Sequence, residues 1–197
     1  MTIAAVTPVA QNTRGPSPAV AAATPRWTLD ASHSHVGFAV RHLMISNVRG
    51  EFTKLEGTVG YDAARPEATT LDVKIDVASV STRDEKRDAH LRSADFLDAE
   101  KYPYLAFVST SARKQGAGLE IVGNLSIHGV TRPVTLAVED ITPESKDPYG
   151  NVRVGATAKT KIRRSEFGMT WNAALEAGGV LVGDDVNITL EVELIRQ

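Results

Sequence analysis

The 197-residue chain is predicted to be an all-β domain of eight antiparallel strands closed into a barrel, with one short helical insert between the third and fourth strands. Three features predict this. Apolar and polar residues alternate with period two in eight segments from Trp27 onward, as in strands with one buried and one wetted face. Most segments are separated by short turn-forming stretches, which suits antiparallel neighbours rather than parallel strands joined by crossover helices. Closure is the expected end state, because eight amphipathic strands left open would carry two unpaired edges.

The elements follow in order. The first segment is long and turns Val36, Phe38 and Val40 inward, and the second does the same with Val59 and Tyr61. In the third, Leu71, Val73, Ile75 and Val77 alternate with Asp72, Lys74 and Asp76. Thr82 followed by Glu85 fits a capping box, so the charged run Asp84 to Arg92 is predicted as a short surface helix, with a further turn over Ser93 to Asp98. The fourth strand lies around Tyr104 to Thr110. Leu119, Ile121, Leu125 and Ile127 mark the fifth strand, and Val134, Leu136 and Val138 the sixth. The seventh sets Val152, Val154, Ala156 and Ala158 against Arg153, Gly155, Thr157 and Lys159, and the eighth alternates most strictly, from Val186 to Leu194. Turns are expected at Asp62 to Pro66, Gln115 to Gly118, Gly129 to Pro133 and Asp147 to Asn151. A bulge near Thr53 and Lys54, or at Gly123, would invert the parity of its strand.

Residues 1–26 contain four of the nine prolines and no acidic residue, and are predicted to be a disordered tail preceding a domain over 27–197. They lack a cationic start followed by a sustained apolar run. The expectation is therefore a cytoplasmic protein, with the periplasm or secretion as the alternative. No apolar run approaches the roughly 18 to 20 residues that cross a bilayer. A net charge of −2 argues against nucleic-acid binding through a broad basic face.

The chemistry-bearing residues exclude several classes. The absence of cysteine removes disulfides, thiolate metal sites and cysteine nucleophiles. There is no G-x-S-x-G elbow and no phosphate-binding G-x-x-x-x-G-K-[ST] loop. His33 and His35 share a strand face, yet spacing fixes no third ligand, so no metal site is assigned. Seven arginines (41, 49, 87, 92, 132, 163 and 164) fall at or beside strand ends, where a guanidinium can fork onto a phosphate or carboxylate. Ala156, Ala158, Gly57 and Gly123 are small residues at inward positions. The volume they leave goes either to large neighbours or to a ligand.

Five blocks carry a family resemblance: HSHVGFAVRHLMISNVRGEFTKLEGTV (33–59), HLRSADFLDAEKYPYLAF (90–107), GNLSIHGVTRPVTL (123–136), RSEFGMTW (164–171) and VGDDVNITLEVEL (182–194). In this order they resemble the YceI-like family of bacterial polyisoprenoid-binding, or lipid-binding, proteins. The resemblance implies a lipocalin-like barrel whose apolar tunnel takes an isoprenoid chain or similar long lipid, with no catalytic activity and no cofactor. It also admits a homodimer. Strand parity then assigns the tunnel wall to Val36, Phe38, Val40, Val59, Tyr61, Val73, Ile75, Val108, Ile121, Leu125, Leu136, Val154, Ala156, Ala158, Ile188 and Leu190. His42, Arg49, Arg92 and Arg164 are the candidates to orient a polar head at the mouth. The competing reading is a rigid barrel with a filled core, acting as a protein-interaction or stress-response module.

Overall fold

A computed structural model describes residues 23–175 and 178–197. Eight strands form an up-and-down barrel: β1 (Arg26–Leu29 and His35–His42), β2 (Ser46–Phe52 and Leu55–Gly60), β3 (Thr70–Asp76, continued by Val80–Ser81), β4 (Tyr104–Gln115), β5 (Gly118–Ile127), β6 (Val130–Glu139), β7 (Val152–Arg163) and β8 (Val182–Arg196). Each strand pairs antiparallel with the next, and β8 closes the ring on both pieces of β1, Ile188 facing Phe38 and Leu194 facing Leu29. Helix α1 (Glu85–Arg92) lies in the connection between β3 and β4. Residues 1–22 of the expected tail lie outside the described residues. The remainder joins the barrel, since the Pro25 carbonyl accepts from the Tyr61 N–H and Arg26 opens β1 opposite Gly60.

One of the two expected parity reversals is at Thr53 and Lys54; the other falls on β4 opposite Gly123, while β5 itself keeps its parity through that glycine. β2 breaks at Thr53 and Lys54, both held by Ser79, so the inward set changes from Val48 and Phe52 to Leu55 and Val59. On β4, Thr110 is the extra residue between the pairs Ser109–Gly123 and Ser111–Val122. Two local expectations are corrected. The α1 cap is Asp84, which accepts from the Lys86 and Arg87 amides, while Thr82 donates its hydroxyl to buried Asp88 instead of forming a capping box. The turn placed at Gly129 to Pro133 is tighter: His128 and Gly129 make it with positive φ, and Pro133 lies inside β6. Proline is tolerated there because β6 and β7 pair only from Ala137 to Glu139, so no β7 acceptor faces its missing N–H.

The connections give the barrel two unlike ends. The terminal end carries the start of β1 and the end of β8. The helix end carries α1, the β1–β2 hairpin and the loop between β7 and β8. The buried core falls into three clusters, one built on Val36, Phe52, Val77, Phe96 and Phe167 at the helix end, the others centred on Trp27 and Phe107.

Candidate functional site

A cavity of about 400 Å³ runs between these clusters, within the usual range for small-molecule sites. The lumen is therefore not filled, contrary to the solid-core reading. Every residue assigned to the wall by parity lines this cavity except Val108, which is 47% exposed on the outer face. The correction has a local cause. Tyr104 to Val108 is apolar throughout, so alternation is silent there, and burial selects Leu105 and Phe107 as the inward pair. Small inward residues divide between the two uses expected of them. The Phe107 ring covers Gly123, and the Phe38 ring covers Gly50, so that a Cβ at either glycine would strike an aromatic edge. Ala156 and Ala158 instead face open volume, opposite Val192 and Leu190 on β8.

Polar groups on the wall gather at the helix end, where His42, Arg87, His90 and Arg164 join the apolar surface of Leu91, Phe96, Met169 and Trp171. Two of the four head-group candidates therefore reach the cavity. Arg49 does not, because it points outward from β2, and Arg92 turns away to donate to the Val80 carbonyl. Arg164 reaches it but is heavily engaged. It is 5% exposed and donates from Nε to Gly183, from Nη1 to Met169 and Trp171, and from Nη2 to Val182, all backbone carbonyls. Burial lowers its pKa against the opposing charge of Asp184, and among the described residues no carboxylate hydrogen-bonds to it, so its main work is to pin the β7–β8 loop over the barrel end. Parity along the strands did not single out Arg87 and His90. Both come from α1, where Thr82 holds the Arg87 guanidinium and Asp95 bonds His90 Nε2 at 2.9 Å, while the His90 ring stands edge-on to Phe96 and Trp171.

The terminal end holds a packed cluster in which Trp27 is fully buried behind the lining residues Val59, Val154 and Leu194 and donates its indole N–H to the Tyr61 carbonyl. On the outside near this end, Arg153 bonds three carboxylates, Asp30 at 2.6 Å, Asp147 at 2.7 Å and Glu193 at 2.7 Å. Hydrogen bonds from Ser32, Arg153 and His33 hold the Asp30 carboxyl far below the ordinary carboxylate range, and Arg153 and Asn151 do the same for Asp147. Ligand-type atoms of Asp30, His33 and Glu193 approach within 4.8 Å of one another, but the Arg153 guanidinium already supplies their positive charge. His33 and His35 go to different acids, Asp30 and Glu51, and so do not converge on a common point.

Comparison with known proteins agrees with this geometry. The model of the YceI-like domain matches residues 27–194. The chain is 38% identical over 168 residues to the Escherichia coli protein YceI, covering 85% of this chain and 84% of that one. It is similar to the crystal structure of a Campylobacter jejuni YceI protein at 35% identity and TM-score 0.67, covering 86% and 96% of the two chains. A polyisoprenoid-binding domain from Saccharophagus degradans shares the fold at 16% identity and TM-score 0.61, covering 87% and 98%. An open apolar lumen inside a closed eight-stranded meander, matched along nearly its whole length by the family model, places the chain in the YceI-like family.

Proposed function

We propose that this protein is a non-catalytic carrier or sequestering protein that encloses one long apolar molecule, a polyisoprenoid or similar lipid. The observation that carries this reading is the cavity itself, with a mainly apolar wall interrupted by Tyr61, Thr69 and Thr160 and with His42, Arg87, His90 and Arg164 gathered at the helix end. A chain left in water costs about 0.8 kcal/mol for each methylene relative to burial, so enclosure needs no chemistry to be favourable. His42, Arg87 and His90 line the helix end beside apolar surface and are the groups this reading brings nearest a polar head, Arg87 and His90 already being oriented by Thr82 and Asp95. The non-catalytic part of the proposal rests on the mainly apolar wall, which suits enclosure of a chain. The fold's likeness to a domain described as polyisoprenoid-binding is in keeping with this reading.

The test is a series of isoprenoid alcohols of increasing length. Affinity is expected to rise about tenfold or more with each isoprene unit until the tunnel is full, then level off, and Ala158→Phe should bring the plateau to shorter chains. Affinity independent of chain length contradicts the proposal.

A further inference from the structure

Four of the large apolar side chains that the fold leaves exposed lie together at the helix end. Leu43, Met44 and Ile45 form the tip of the β1–β2 hairpin, Ile45 being 76% exposed, and Val180 stands on the adjoining β7–β8 loop. The two loops are joined by the Leu43 N–H on the Leu181 carbonyl at 2.8 Å. The hairpin turn is closed by the Ile45 N–H on the His42 carbonyl, with φ of 52° at Leu43 and 58° at Met44. Consecutive left-handed residues in a hairpin favour asparagine and glycine, so neither backbone preference nor burial accounts for leucine and methionine here.

The surroundings suggest what they meet. His42, Leu181 and Val182, immediately beside the tip, line the tunnel. Arg41 and Arg49 stand behind it as diagonal neighbours on the outer face of β1 and β2, and among the described residues neither makes an ion pair. Nearby acids have partners already: Asp184 with Ser165, Asp185 with Lys161 and Glu51 with His35. An apolar tip backed by uncompensated cations, at the mouth of an apolar tunnel, matches the layered chemistry of a lipid surface. A second copy of the chain fits less well. Two narrow loops fall short of the roughly 800 Å² per partner that stable interfaces bury, and two-fold symmetry would bring the arginines of both copies to one contact.

We propose that this tip docks on an anionic bilayer, Leu43, Met44, Ile45 and Val180 entering the boundary between headgroups and acyl chains while Arg41 and Arg49 meet lipid phosphates. Docking holds the tunnel mouth against the phase from which an apolar ligand is drawn. It builds on the tunnel reading under Proposed function. Four side chains and two charges give weak, reversible and salt-sensitive attachment.

The test is flotation of the full chain with phosphatidylcholine vesicles, with and without phosphatidylglycerol. The wild type should float with the anionic vesicles and less with the neutral ones. The variant Leu43→Asn/Met44→Gly/Ile45→Thr relieves the left-handed strain, so it should keep its unfolding midpoint yet lose about tenfold or more of its partition. Arg41→Gln/Arg49→Gln should remove the dependence on phosphatidylglycerol and on salt. Absence of wild-type flotation, equal flotation of the tip variant, or self-association that the tip variant abolishes without flotation overturns the proposal. Uptake of an isoprenoid alcohol in vesicle-free solution is read in parallel. Uptake without flotation sinks docking alone, and flotation without uptake sinks the tunnel reading alone.

Discussion

At the terminal end the tunnel wall of Val59, Val154 and Leu194 is backed by a fully buried Trp27, and on the outside Arg153 ties Asp30, Asp147 and Glu193 together. At the helix end Phe96 and Trp171 pack with His90 against the lumen, but on the β3–β4 connection and the β7–β8 loop rather than on strands. A short helix and the β7–β8 loop cover it, the loop held by one buried arginine through four backbone carbonyls. The first closure is side-chain packing on strands and cannot open without breaking the barrel. The second is a loop fastened by hydrogen bonds, each worth about 1 kcal/mol net, and it can release locally while the strands stay paired. On the function proposed above, the difference gives the terminal end to stability and the helix end to ligand entry.

Substitutions can break this contrast. The largest expected effect is Trp27→Ala, which empties the centre of the terminal-end cluster and removes its indole hydrogen bond and should cost about 3–5 kcal/mol of global stability in denaturant titrations. Arg164→Leu leaves carbonyls at Met169, Trp171, Val182 and Gly183 without their donor and should cost about 3 kcal/mol. Hydrogen exchange should place that loss in 164–183, with β4 to β6 remaining protected; uniform loss of protection would erase the distinction between the ends. Ala158→Phe overpacks the lumen at a cost of about 1–3 kcal/mol, and its signature is lost ligand capacity in a protein that still folds.

The smallest effect is on acid stability. Because the folded-state carboxyls of Asp30 and Asp147 lie below their unfolded values, their contribution is complete above the unfolded pKa of about 4 and is lost as pH falls further toward the folded values. Arg153→Met should lower the unfolding midpoint near neutrality and flatten the acid limb of stability against pH. An unchanged acid limb would show that Arg153 does not set those carboxyls.

Much of the barrel was legible because its strands are wet on one face. The run from Val186 to Leu194 alternates with acids and small polar residues, and β8 keeps that parity from end to end in the wall. Legibility failed at Val108, where an all-apolar stretch carries no alternation, and at the Thr82 cap, where Asp84 competes two residues on and wins. The polar mouth was only half readable. His42 follows from strand parity, but Arg87 and His90 face the cavity through the packing of a helix with little apolar character, which tertiary contacts alone decide. Arg164 was read as a head-group ligand because its acceptors, backbone carbonyls 5 to 19 residues away, leave no mark in side-chain pattern.

Native mass spectrometry of the purified chain, followed by organic extraction, tests the enclosed-tunnel account most directly. The account predicts one copurified lipid-like molecule per chain, or stoichiometric uptake of an added long isoprenoid alcohol by the bare protein. A bare polypeptide that takes up no such alcohol, with bulky side chains meeting across the lumen in a crystal structure, would contradict it.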